Sequence, residues 1–290
     1  MKRIVLLLVL CGFILAGCGE DIVTPSENER DVWVYFSASP LTKSFKSAAS
    51  TDETEISKLI LYGVDDKDVL VTTFPVISNP SLTGITLTIP VEVTTFYAIA
   101  NPSAAIESTP PSTFADLLNL TGNFTAAPAA PFIMGGKGVI VDASASANIE
   151  LIRAVAKIEV IAENEFEIES VTVMNTPDKG YVFRKETRVA PTTSGRVNYD
   201  VNTGLTVYVA ENSKDNPTEL LVKGTYLGKQ ANYKLVLKKD ESPIDIARNT
   251  FYKVRVSAIT HIDCTFTITI PDWDEMITED HIIPDDDFES

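Results

Sequence analysis

Positive charge, histidine and cysteine are scarce in this chain. Its 290 residues include 24 Lys and Arg against 40 Asp and Glu, a net charge of −16, with two His, three Cys and two Trp. A chain this acidic lacks the basic patches that phosphate backbones require, so nucleic acid is excluded as a partner. It is equally unsuited to electrostatic adhesion to anionic lipid. Missing too are a CxxC pair, an HExxH helix, a Ser-His-Asp arrangement and a phosphate-cradling loop. The Gly-rich "MGGKG" at 134–138 precedes no helical pattern and reads as a turn. The expectation is therefore no catalytic residue, no metal and no cofactor. What remains is 44% hydrophobic, enough for a proper core.

The first 18 residues belong to export. Lys2 and Arg3 are followed by an apolar stretch from Ile4 to Leu15, 12 residues long. A spanning helix needs about 20, so this is a signal peptide over 1–17. Leu15-Ala16-Gly17-Cys18 resembles the lipobox of bacterial lipoproteins, which implies cleavage between Gly17 and Cys18 and acylation of the Cys18 thiol. Several acyl chains, at about 0.8 kcal/mol per buried CH₂, would hold the chain on a membrane. The polar segment after Cys18 reads as a tether to residue 31. Cys11 leaves with the signal, so only Cys264 remains and no internal disulfide is available. Cys264 alternates with Phe266, Ile268 and Ile270 and reads as a small core residue.

Period-two alternation dominates the rest. Ile85, Leu87, Ile89, Val91 and Val93 fall on one face; so do Tyr252, Val254, Val256 and Ala258. Further strand patterns cover Val32–Ser37, Ile56–Val64, Val69–Phe74, Phe96–Ala100, Gly138–Asp142, Ser170–Met174, Leu205–Ala210, Leu220–Tyr226 and Tyr233–Leu237. "TYLGKQANYKL" predicts a hairpin with Gly228 in the turn. One short helix is predicted after a Ser112 cap, with Phe114, Leu117 and Leu118 inward. The fold class is all-β, and the length suits two sandwich domains, 32–162 and 163–290. The run "IELIRAVAKIEVIA" (149–162) closes the first. By parity Ile152, Ala154, Ala156, Ile158 and Val160 face inward, so the heads of Arg153 and Lys157 should reach water. The tail after Pro271 holds nine acids and no Lys or Arg. It reads as a solvated segment; its "DWDE" and "DDD" fit no EF-hand spacing.

Arg153, Ala156 and Lys157, then Glu211 with Asn212, then Arg248, Asn249 and Tyr252, and finally Trp273, form an ordered set. Their order and spacing resemble the fimbrillin family of Bacteroidales pili, whose members include stalk, anchor and tip subunits. The resemblance implies two tandem transthyretin-like, antiparallel β-sandwich domains with one short helix. It also implies a non-enzymatic structural subunit of a cell-surface fimbria at the outer membrane. Its partners would be other fimbrial subunits, joined by β-strand addition, the membrane through acylated Cys18, and host or bacterial surface ligands. In stalk subunits an Arg-specific protease cuts the loop after the first strand, opening a groove for a neighbour's strand. Here that loop holds Lys43 and Lys46 but no Arg, and Arg30 precedes the strand. This departure favours an anchor or accessory subunit over a stalk. The alternative is a glycan-binding surface lipoprotein of the same architecture.

Overall fold

The computed structural model describes residues 28–38, 51–186, 190–201, 205–239, 242–260, 262–271, 276–277 and 280–282. In the first half the strands are β1 (Glu29–Ala38), β2 (Lys58–Val64), β3 (Leu70–Thr73), β4 (Ile77–Ser78) and β5 (Ile85–Pro90). They continue with β6 (Thr95–Ala100), β7 (Thr121–Asn123), β8 (Met134–Val141) and β9 (Ser146–Arg153). In the second half β10 (Val155–Glu163), β11 (Phe166–Pro177), β12 (Lys179–Tyr181), β13 (Arg196–Val201) and β14 (Thr206–Ala210) come first. Next are β15 (Glu219–Tyr226), β16 (Lys229–Val236), β17 (Lys238–Lys239) and β18 (Ser242–Pro243). The last are β19 (Phe251–Ala258), β20 (Cys264–Pro271), β21 (Met276–Ile277) and β22 (Asp280–Ile282).

The all-β expectation holds. In the first half one sheet runs β3-β2-β6-β8-β9-β1-β5 and curls so that its two limbs share a core. Val32, Val34 and Phe36 of β1 meet Leu59 and Leu61 of β2 and Phe96 and Ala98 of β6 there. The second half is a two-sheet sandwich, β14-β10-β19-β20 over β13-β11-β15-β16. Its core takes Ile158, Val160, Val254, Val256, Phe266 and Ile268 from one sheet and Val171, Val173, Val222 and Leu235 from the other. Burying a side chain of this kind gains about 1.5–3 kcal/mol each.

The pairing is mixed rather than purely antiparallel. β1 lies antiparallel to β5 but parallel to β9, and β10 lies antiparallel to β14 but parallel to β19. The order β5-β1-β9-β8 of the first half therefore recurs as β14-β10-β19-β20 in the second. This repeat of arrangement has no counterpart in the residue sequence.

Several sequence expectations change. β1 starts at Glu29, inside the expected tether, because Glu29, Arg30 and Asp31 pair with Pro90, Ile89 and Thr88. Val91 is exposed, since the strand ends at Pro90. "MGGKG" is strand, not turn: it opens β8. A Cβ on Gly136 would sit 2.3 Å from the Glu150 carbonyl oxygen, so only glycine lets β8 come this close to β9. Two short helices form instead of one, α1 (Ala104–Ser108) and α2 (Phe114–Leu118). Thr113, not Ser112, caps α2: its hydroxyl accepts from the Asp116 N–H at 3.1 Å, while Ser112 donates to the Asp116 carboxylate. Both helices cover β2 and β6, where Ile106 and Leu117 pack on Ile60, Tyr62 and Ile99.

The predicted hairpin is β15–β16, turning at Leu227 and Gly228, both at positive φ. The 149–162 run is two strands broken at Ala154. Among the described residues β10 pairs with β14 and β19 alone, so the chain changes sheet at Ala154 rather than after Ala162. The tail backbone returns along β20 as β21 and β22.

Cys264 is buried as expected, and burial pushes its thiol from 9.0 up to about 12. Burial likewise pushes the Tyr62 hydroxyl from 10.0 up to about 12. Between those values the unfolded chain loses protons that the folded chain keeps. Their contribution to stability is thus full below pH 9 and is lost as pH rises from 9 toward 12. Urea midpoints measured at pH 8, 10 and 11 should drop in that order; a midpoint constant to pH 11 would contradict the burial of these groups.

Candidate functional site

A buried polar cluster lies where the halves meet, and Arg153, Lys157 and Asn249 take part in it. Glu53, on a 3-10 turn (Thr51–Thr54) ahead of β2, points into the second half and is 2% exposed. Its carboxylate accepts from the Lys157 ammonium at 2.8 Å and from the Tyr208 hydroxyl. Its backbone carbonyl accepts from Arg153 Nε at 2.7 Å, and Arg153 Nη1 reaches Asn249 Oδ1 at 2.8 Å. Arg153 is 1% exposed and the Lys157 side chain 14%. The expectation that both cations reach water is therefore corrected. The change of sheet at Ala154 reverses the buried parity, so odd-numbered Arg153 ends β9 facing inward, while Lys157 of β10 points at the joint. Burial lowers the Arg153 pKa, and the charge of Glu53 opposes that shift. Burial, followed by the hydrogen bond to Glu53, raises Tyr208, which keeps its hydroxyl a donor. Lys157 also stands 5.3 Å above the Phe251 ring, and Phe132 packs on Tyr208 with centroids 4.4 Å apart.

A second cluster ties in the segment around β12. Arg248 donates to Glu211 at 2.9 Å, to the Val182 carbonyl at 2.9 Å and to the Tyr181 carbonyl at 2.8 Å. That segment belongs to the second half but joins the first. β12 pairs with β7, and Val182 and Phe183 enter the core beneath α1 and α2. Asn249, at positive φ, donates its N–H to the Val155 carbonyl at 2.7 Å. Asn212 donates to the Asn216 carbonyl and Thr218 and bridges to Ile246; Tyr252 accepts from the Ala247 N–H.

The first strand is the other functional element. Val32, Val34 and Phe36 are buried, while Trp33 and Tyr35 lie outward, their ring centroids 6.0 Å apart. β1 sits inside its sheet, with β5 on one side and β9 on the other. Of the residues expected to be processed, Arg30 lies within β1. Its guanidinium bonds Asp142 at 2.7 Å and the Val93 carbonyl at 2.9 Å. Gly17, Cys18, Lys43, Lys46 and Trp273 lie outside the described residues.

A family model for the fimbrillin-A associated anchor proteins Mfa1 and Mfa2 matches residues 20–279. This chain belongs to that family. Among solved structures, it resembles a candidate cell adhesion protein from Bacteroides eggerthii, with 16% identity, TM-score 0.57, and 81% of this chain and 87% of that chain covered. It also resembles the C-terminally truncated tip fimbrial protein Mfa3 from Porphyromonas gingivalis, with 12% identity, TM-score 0.56, and 87% and 99% covered. No curated protein sequence matches. Both structures share the fold.

For this member of the Mfa1/Mfa2 family the sequence pointed to one side of the joint only. Arg153, Lys157, Arg248 and Asn249 stood out by order and spacing. Glu53, Tyr208 and Phe132 did not, because Glu53 comes from about 100 residues away in an acidic segment with no periodicity. Removing one partner of a buried pair strands the other charge and costs about 3–5 kcal/mol. Glu53→Ala should destabilise the protein by about that much. Glu53→Ala combined with Lys157→Met should cost clearly less than the two single losses added together. Chemical denaturation of the singles and the double would show it; additive losses would mean that the two side chains are not coupled.

Proposed function

We propose that this chain is a structural subunit of a cell-surface fimbria, exported as a lipoprotein through Cys18 and assembled with other subunits by strand addition, in an anchor or accessory role. Family membership over residues 20–279 supports the fimbrial part, since the family is that of fimbrillin-A associated anchor proteins. The single observation that carries the strand-addition part is the place of β1. It supplies Val32, Val34 and Phe36 to the core between β5 and β9, so its absence would leave an apolar groove flanked by unpaired backbone. A strand with apolar side chains at alternate positions fits such a groove by main-chain hydrogen bonding.

The anchor role draws on Arg30. It is bonded to Asp142 and Val93 inside β1, so cleavage there would not free the strand. Without that cut the chain keeps β1, its tether and its lipid, and sits at the base of the filament. Host or bacterial surface ligands would be met by the filament it holds. Mass spectrometry of the outer-membrane form should find a mature chain starting at an acylated Cys18. A chain starting after Lys43 or Lys46 would instead make it a processed stalk subunit.

One observation favours the glycan-binding alternative. Trp33 and Tyr35 are 41% and 43% exposed, side by side, the arrangement on which sugar rings stack. On that reading a glycan array gives discrete binding that Trp33→Ala abolishes; an array without signal leaves the fimbrial reading alone.

A further inference from the structure

Parallel neighbours respond to tension differently from antiparallel ones. When two parallel strands are pulled from opposite ends, all their hydrogen bonds are loaded at once, in shear. When they are pulled from the same end, the bonds open one after another. β1 and β9 are parallel over six residue pairs, Trp33↔Ser146 to Ala38↔Leu151. Residues 29–34 of β1 are also paired with β5, so every residue of the strand has a partner on at least one side. The start of β1 is where any pull from the preceding chain arrives. The end of β9 runs through Ala154 straight into β10 of the second half.

Tension between the N-terminal end and the second half therefore enters at one end of this parallel pair and leaves at the other. The intervening strands β2 to β8, though covalently between them, are bypassed. The leading end is reinforced where load arrives first: Arg30 grips Asp142 and the Val93 carbonyl, and Asp31 accepts from Thr88 at 2.7 Å. At the trailing end Arg153 is fixed by the Glu53 carbonyl and Asn249.

We infer that the β1–β9 pair is a mechanical shear clamp that carries tension from the N-terminal segment into the second half without unfolding the first. That this tension arises in a filament rests on the anchor reading; the clamp itself needs no lipid and is tested without it.

The full chain with Cys11→Ser and Cys18→Ser is fitted with pairs of cysteine handles, Cys264 being buried. Asn28→Cys with Glu165→Cys, both exposed, pulls the start of β1 against the chain beyond β9, in shear. Asn28→Cys with Ser144→Cys pulls the starts of β1 and β9 apart. In single-molecule pulling, the event that releases the first half should need about twofold or more force in the first geometry than in the second. Arg30→Ala should lower the first force while barely moving the urea midpoint, because such part-exposed pairs add little at equilibrium. Equal forces in the two geometries would overturn the clamp, whatever the state of Cys18 in the cell. Both handle variants are first required to match the urea midpoint of the parent chain, so equal forces cannot come from a poorly folding variant.

Discussion

A buried carboxylate governs how the two halves sit together. Glu53 leaves water almost completely, and a charge so placed is tolerated only when it is paired and hydrogen-bonded. Two groups that satisfy its carboxylate, Lys157 and Tyr208, come from the second half. The segment that carries Glu53 comes from the first. Neither half can turn far from the other without exposing unpaired charge in an apolar setting. Around this point the remaining contacts are ordinary: the β7–β12 pair, Val182 and Phe183 beneath the short helices, and Phe132 against Tyr208.

The same segment lies close in sequence to the strand on which assembly would depend. β1 ends at Ala38 and Glu53 enters the joint fifteen residues later, so the strand and the joint are separate fixtures on one stretch of chain. Loss of β1 would open the core of the first half, yet the charge lock would keep its own partners. The two parts of the molecule can thus answer to different demands: one to hold or exchange a strand, the other to keep the body in one shape.

Much of the fold was legible because alternation survives in strands that have one face in a core. β19 and β20 show this, with Tyr252, Val254 and Val256, then Cys264, Phe266 and Ile268, buried as their spacing says. Legibility failed where a strand had other duties. β8 hid behind "MGGKG" because close backbone contact demanded glycine where a pattern would have shown side chains. The parallel pairings left no trace, since a strand's neighbour is set by topology rather than by its own residues. At the joint, Arg153 and Lys157 were visible but misplaced in water. Their partner lay far away in sequence, and a single residue of irregular backbone changed which side of the run faced inward.

That residue, Ala154, has a consequence for how such molecules can diversify. Before it, the buried face of the run falls on odd-numbered positions, with Ile149, Leu151 and Arg153; after it, on even ones, with Ala156, Ile158 and Val160. The halves are out of phase by one residue and joined at a point with no linker to absorb an error. One residue inserted or removed here would turn the buried face of β10 toward water. A loop can gain or lose residues freely, but this crossing cannot. It is a fixed punctuation mark between two clauses of one sentence.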